Sequence, residues 1–247
     1  MRTPLDKARL PGFVEDMNYR KFEHYLKCPM RVQLFKEGGL DIDHEYVMIL
    51  DQVFGRASLM LLVGNIPSKE FLSSSFRGYA SALPVAPEVR DAMLQRAERE
   101  LFDKYIEYMN ELNKRYTFIS PITSFTYSNN GVNVEIVTMF TVQEKQGSES
   151  FYVLFEYQKI YEWKTYTRLW ASVLREMLVE RGMSRLGVKV LSLQNGELMN
   201  THSSKHSLVH ETMHFATAMY ASRAVYPVYG GHCHRCGVSP QCGQAVS

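Results

Sequence analysis

Two runs decide how this chain folds: Val132-Asn-Val-Glu-Ile-Val-Thr138-Met-Phe-Thr-Val-Gln143, and Phe151-Tyr-Val-Leu-Phe-Glu156-Tyr-Gln158-Lys159. In the first, Val132, Val134 and Ile136 alternate with Asn133, Glu135 and Val137, which is the period of a strand. Residues 145–148 (Lys-Gln-Gly-Ser) turn the chain, and residues 151–157 return as another strand. Upstream, residues 118–127 mix aromatics with Thr and Ser, as strands do. Asn129-Asn130-Gly131 then gives a turn signal. Three strands joined by tight turns predict an antiparallel meander.

Helices are expected on both sides of it. Residues 1–18 read as an arm. Tyr19–Lys27 reads as a short helix with Phe22, Tyr25 and Leu26 on one face, interrupted by Cys28-Pro29. Residues 30–36 resume as helix and stop at Gly38-Gly39. Asp43 is placed to cap the next helix, with Val47, Leu50, Val53 and Phe54 as its apolar positions. Ser68 opens a further one. Pro87 suits the first turn of a long amphipathic stretch reaching about Lys114, with Val89, Met93, Leu101, Tyr105 and Leu112 as its buried stripe. After the meander come a helix over 159–180 ended by Gly182, a strand over 187–193, a turn at Asn195-Gly196, and a helix over 206–223. The fold class is therefore α/β or α+β, one domain over 19–247, with a helical insertion at about 40–115.

The 247 residues are 45% hydrophobic, 12% aromatic and 22% charged, enough apolar surface for a packed core. Lys+Arg number 28 against 26 Asp+Glu, a net +2, so any nucleic-acid binding must use a local groove. No apolar run approaches the roughly 20 residues of a membrane span, and the N-terminus MRTPLDKARLPGF has no apolar signal core. A cytoplasmic protein with no membrane partner is expected. No Walker A loop, G-x-G-x-x-G or G-x-S-x-G motif is present.

The four cysteines are Cys28 and a tail triplet, Cys233-x2-Cys236-x5-Cys242. Four thiolates can hold a [4Fe–4S] cluster or a tetrahedral Zn²⁺, while a lone Cys28 can also be a buried apolar thiol. A site using all four would tie the two ends of the chain together. In the chain-entropy model, closing a loop of that length restricts the unfolded ensemble by roughly 4–5 kcal/mol.

The segment Tyr19-x5-Tyr25-Leu26-Lys27-Cys28-Pro29-x-Arg31, with the tail triplet, resembles the iron–sulfur group of RecB-like PD-(D/E)XK nucleases, which includes AddB and Cas4-like enzymes. The resemblance spans about Tyr19 to Cys242. It implies a restriction-endonuclease-like core, a [4Fe–4S] cluster on Cys28, Cys233, Cys236 and Cys242 (Zn²⁺ as the alternative), and Mg²⁺ or Mn²⁺ if the protein cuts DNA. It also implies an Asp on one strand, a Glu-x-Lys on the next, an upstream helical His, and a Gln-x3-Tyr on the following helix.

Glu156 fits the acidic ligand, but Gln158 stands at the Lys position and Lys159 is one residue late, pointing to the opposite strand face. Folding the hairpin about 146–147 brings Val137 or Thr138 opposite Glu156, and the only carboxylate nearby is Glu135. Glu162-x-Lys164 falls in a helical pattern. Leu59 follows Gly55 where His is expected, with His44 as a weak substitute. Arg168-Leu-Trp-Ala-Ser172 occupies the Gln-x3-Tyr place. One carboxylate holds Mg²⁺ poorly.

A DNA-binding pseudo-nuclease acting in a replication, recombination or genome-handling assembly is therefore expected, with Arg56, Lys164 and Arg168 as candidate nucleic-acid contacts. Trp163 and Trp170 could stack on bases, but their seven-residue spacing also suits a buried helix stripe. The alternatives are an active metal-dependent exonuclease using Glu156, Gln158 and Lys159, or a purely structural subunit. His206, His210 and His214 stand four apart on the final helix, a spacing that suits Zn²⁺ or a polar face.

Overall fold

The computed structural model describes residues 16–30, 42–157, 166–201, 206–221 and 242. The sequence-based expectations for Gln158, Lys159, Trp163, Lys164, Cys233, Cys236 and the helix over 31–36 lie outside these residues. In chain order the elements are β1 (Asp16–Asn18), α1 (Tyr19–Lys27), α2 (Ile42–Leu62), α3 (Lys69–Ala80), α4 (Pro87–Ala97), a π-helical turn (Glu98–Phe102) and α5 (Asp103–Arg115). There follow β2 (Tyr116–Ser120), β3 (Thr123–Asn129), β4 (Val132–Thr138), β5 (Phe140–Glu144), β6 (Ser150–Glu156), α6 (Tyr166–Glu180), β7 (Leu186–Ser192), β8 (Glu197–Asn200) and α7 (His206–Ala221). Among the described residues this is an α/β fold with a mixed sheet and helices. The chain divides into two compact units, one of residues 46–124 and 137–204, the other of residues 1–45, 125–136 and 205–247.

The first unit carries a five-stranded sheet in the order β2-β5-β6-β7-β8. Pairing is antiparallel at β2–β5, β5–β6 and β7–β8, and parallel at β6–β7. The parallel pair follows from the connection: β6 and β7 are joined through α6, as a crossover requires. The Asn195-Gly196 turn falls where the sequence puts it, with Gly196 at φ 77°. It reverses the chain into β8, a strand the sequence reading omitted.

Helices α2 to α5 cover one sheet face. Phe54 lies at the centre of this core, ring centroids 4.4 Å from Tyr105, 5.6 Å from Phe155 and 5.8 Å from Tyr157. Gly55 has a packing reason: a Cβ there would collide with Cδ1 of Ile122. Ser68 caps α3, accepting a hydrogen bond from the Phe71 amide at 3.2 Å. Helix α2 already includes Ile42, so Asp43 lies in its first turn, where its charge favours the helix dipole, rather than ahead of it as a cap. The long helix expected from Pro87 is present, but the π turn at Glu98–Phe102 interrupts its regular pitch.

The expected three-strand meander is corrected. Each of its first two strands is two strands in different sheets. Residues 118–127 break at 121–122, and residues 132–143 break at Met139. The Met139 amide donates to the Val153 carbonyl at 2.8 Å while Phe140 also pairs with Val153, so two residues oppose one. That is a bulge, and it bends the strand out of the ladder.

The second unit holds a three-stranded sheet, β1-β4-β3. Residues 16–18, read as part of an arm, pair in parallel with β4, Asp16 opposite Asn133 and Asn18 opposite Glu135. The β3–β4 turn uses Asn130 at φ 49° and Gly131 at φ 71°. Helix α1 ends at Lys27 before Cys28, as its sequence indicates. Phe22 and Tyr25 pack on Tyr220 of α7, at 5.7 and 5.0 Å between centroids.

Candidate functional site

Strand β6 separates two chemical environments. Phe151, Val153, Phe155 and the following Tyr157 belong to the core beneath α2–α5. Alternation turns Leu154 and Glu156 to the other face, against which α6 lies. Glu156, 7% exposed, is the last residue of β6. Its Oε2 accepts a hydrogen bond from Thr167 Oγ1 at 2.6 Å. Thr167 is the second residue of α6 and 1% exposed. On the core face, Tyr157 Oη donates to Oδ1 of buried Asp51 on α2 at 2.5 Å. Residues 156 and 157 thus tie the end of β6 to a helix on each side of the sheet, both times by a hydroxyl donating to a carboxylate.

Glu156 pairs laterally with Ser192 on β7. Ser192 is fully buried, and its Oγ accepts from the Asn195 amide at 3.3 Å. Toward β5 the hairpin folds about 146–147, Gln143 opposite Ser150, where the sequence places it. The bulge at Met139 then overturns the pairing extrapolated from it. The ladder ends at Phe140–Val153, and Val137 packs against the helical core instead of standing beside Glu156. Alternation puts Thr138 on the Glu156 face. Its hydroxyl donates to the Thr123 carbonyl at 3.1 Å.

The polar neighbours of this carboxylate are therefore hydroxyls: Thr167 by contact, Ser192 by strand pairing, Thr138 by face. Glu135 lies on β4 opposite Asn18, in the other compact unit. Among the described residues no group of three His, Cys, Asp or Glu could hold a metal ion. Mg²⁺ keeps near-octahedral oxygen coordination and calls on more than one carboxylate or phosphate, which this set does not supply. The described residues around Glu156 do not fit a Mg²⁺ or Mn²⁺ site.

The other predicted residues disperse. Arg56 is exposed on α2, its guanidinium 5.3 Å over the Phe71 ring. Because α2 packs on the core face, the sheet stands between Arg56 and Glu156. Arg168 follows Thr167 on α6, half-buried, with Nη2 3.2 Å from Met199 Sδ. Trp170 is fully buried, so it packs the core rather than offering a stacking surface. His44 is buried. The α6 residue that reaches Glu156 is Thr167, one position ahead of the Arg168–Ser172 pair that the resemblance singled out. Only its place one turn from the helix start, beneath a strand-end acid, could have pointed to it.

In the second unit, Cys28 is 6% exposed and lies between α1 and Pro29. Cys242, the one described tail cysteine, is half-buried and belongs to the same compact unit. Thiolates suit soft and borderline metals, so the donor chemistry fits an iron–sulfur cluster or zinc.

No family model matches this chain, and no curated protein matches it. The crystal structure of SSO0001 aligns with 98% of this chain and 94% of its own, at a TM-score of 0.44 and 9% identity. A likeness that distant carries no argument about either protein's activity.

Proposed function

We propose that this chain is an iron–sulfur, nuclease-fold protein that binds DNA without cleaving it and serves as a subunit of a DNA-processing assembly. The observation that carries the non-cleaving half is the setting of Glu156. A single buried carboxylate accepts a hydrogen bond from Thr167, with hydroxyls rather than acids beside it on the paired strands. The order of the antiparallel β5–β6 hairpin, the α6 crossover and the parallel β7 supports the nuclease-like core. Burial of Cys28, and its membership with Cys242 in one compact unit, supports a cluster that staples the chain's beginning to its tail. Cys28, Cys233, Cys236 and Cys242 would hold that cluster, whose contribution when bound is structural cross-linking.

Anaerobic purification with iron and sulfide analysis, followed by cleavage and binding assays on single- and double-stranded DNA with Mg²⁺ or Mn²⁺, tests both halves. Iron near four per chain, no cleavage, and DNA affinity that weakens with added salt are expected, because phosphate contacts release counterions. Cleavage abolished by Glu156→Ala would overturn the non-cleaving centre. Zinc alone, or no metal, would overturn the cluster. Absent or salt-insensitive DNA binding would leave the chain a structural subunit.

A further inference from the structure

Helix α7 begins at His206 and runs to Ala221, so positions 206, 210 and 214 stand on one face, a little over one turn apart. Four residues of helix rise about 6 Å, a separation that two imidazoles can bridge with one ion between them. We propose that the His210–His214 turn of α7 binds a borderline divalent transition cation such as Zn²⁺, Ni²⁺ or Cu²⁺, independently of the cysteines and of Glu156. Imidazole favours these ions over Mg²⁺ or Ca²⁺, which take oxygen.

The β3–β4 hairpin tip gives the site a fixed base. Asn130 Nδ2 lies 3.0 Å from the His214 carbonyl, 2.9 Å from Thr217 Oγ1 and 3.4 Å from His214 Nδ1. Thr217 is fully buried, and its hydroxyl donates to the Met213 carbonyl at 2.8 Å, so it accepts from Asn130. An amide nitrogen has two protons. The two shorter contacts use both, which leaves the His214 ring free to choose its tautomer. The backbone at 214 is therefore anchored while the imidazole is exposed and available to a metal. Exposed Glu211, three residues before His214, shares this helix surface and can add an oxygen or accept a ring N–H.

The full chain, purified anaerobically with its cysteine-held metal already quantified, is titrated with Ni²⁺ by calorimetry and by thermal melting. One saturable site is expected. It should weaken at least tenfold in His210→Ala and in His214→Ala, and persist in Thr212→Ala on the same helix. The Ni²⁺-induced rise in Tm should disappear with it, since a ligand stabilises only the state it binds. His214→Gln keeps a polar side chain of similar length without the imidazole, and it should lose the site equally. No Ni²⁺ uptake by the wild-type chain, or uptake unchanged in His214→Ala and His214→Gln, overturns the proposal.

Discussion

The two faces of β6 use the same strand for different ends. On one, Phe151, Val153, Phe155 and Tyr157 lock into the aromatic core around Phe54. On the other, the strand finishes in a buried carboxylate held by a threonine. Burial on the first face needs only shape and apolar area. On the second, burial demands a partner for every polar atom, because an unmet carboxylate oxygen is expensive in a low-dielectric interior. The core face therefore specifies the fold, and the Glu156 face retains a group whose presence packing alone does not explain.

The largest expected effect falls on the core face. Phe54→Ala removes a ring that touches Phe102, Tyr105, Phe155 and Tyr157, and should destabilise the chain by about 3–5 kcal/mol in denaturant unfolding. A loss under about 1 kcal/mol would mean the core is far less tightly packed than these contacts indicate.

On the opposite face, Thr167→Val deletes the donor to Glu156 while keeping its volume, and should cost about 1–3 kcal/mol. The double variant Glu156→Leu/Thr167→Val should recover much of that loss, since both partners of the hydrogen bond are then apolar. A strictly additive cycle would deny the coupling and erase the contrast between the faces.

Tyr157→Phe tests the tie on the core side. It breaks the bond to Asp51 but leaves the ring in place, and should cost about 1–2 kcal/mol by thermal melting.

The smallest change should have the opposite sign. Tyr105 is fully buried and its hydroxyl has no hydrogen-bond partner. Burial pushes its phenol well above the ordinary value. A group whose proton is held more tightly in the folded state contributes stability below its unfolded pKa, and that contribution fades as pH rises beyond it. Tyr105→Phe should therefore be neutral or stabilising by up to about 1 kcal/mol at pH 7. It should also flatten the alkaline loss of stability above about pH 10, read from melts across a pH series.

Much of this fold was legible locally. Helix α1 closes before Cys28, Ser68 caps α3, and Gly182 and Gly196 adopt positive φ where turns were expected. The candidate site was legible only as Glu156 itself. Its helix partner was misplaced by one residue, because the resemblance supplied a spacing and not a contact. Its strand partner was misplaced because pairing was extended through Met139 as though the ladder were regular, and a bulge leaves no clear mark on an alternating pattern.

The sequence by itself determined the helices, the turns and the reversal near residue 146. These follow from side-chain period, capping and backbone freedom within a few neighbouring residues. Only the tertiary structure decided that β1 joins β4, that the meander divides between two sheets, and that Thr167 rather than Arg168 meets Glu156. Those outcomes depend on which distant surfaces are covered. A chain read residue by residue carries the propensity to form a strand, but not the neighbour that the strand will pair with.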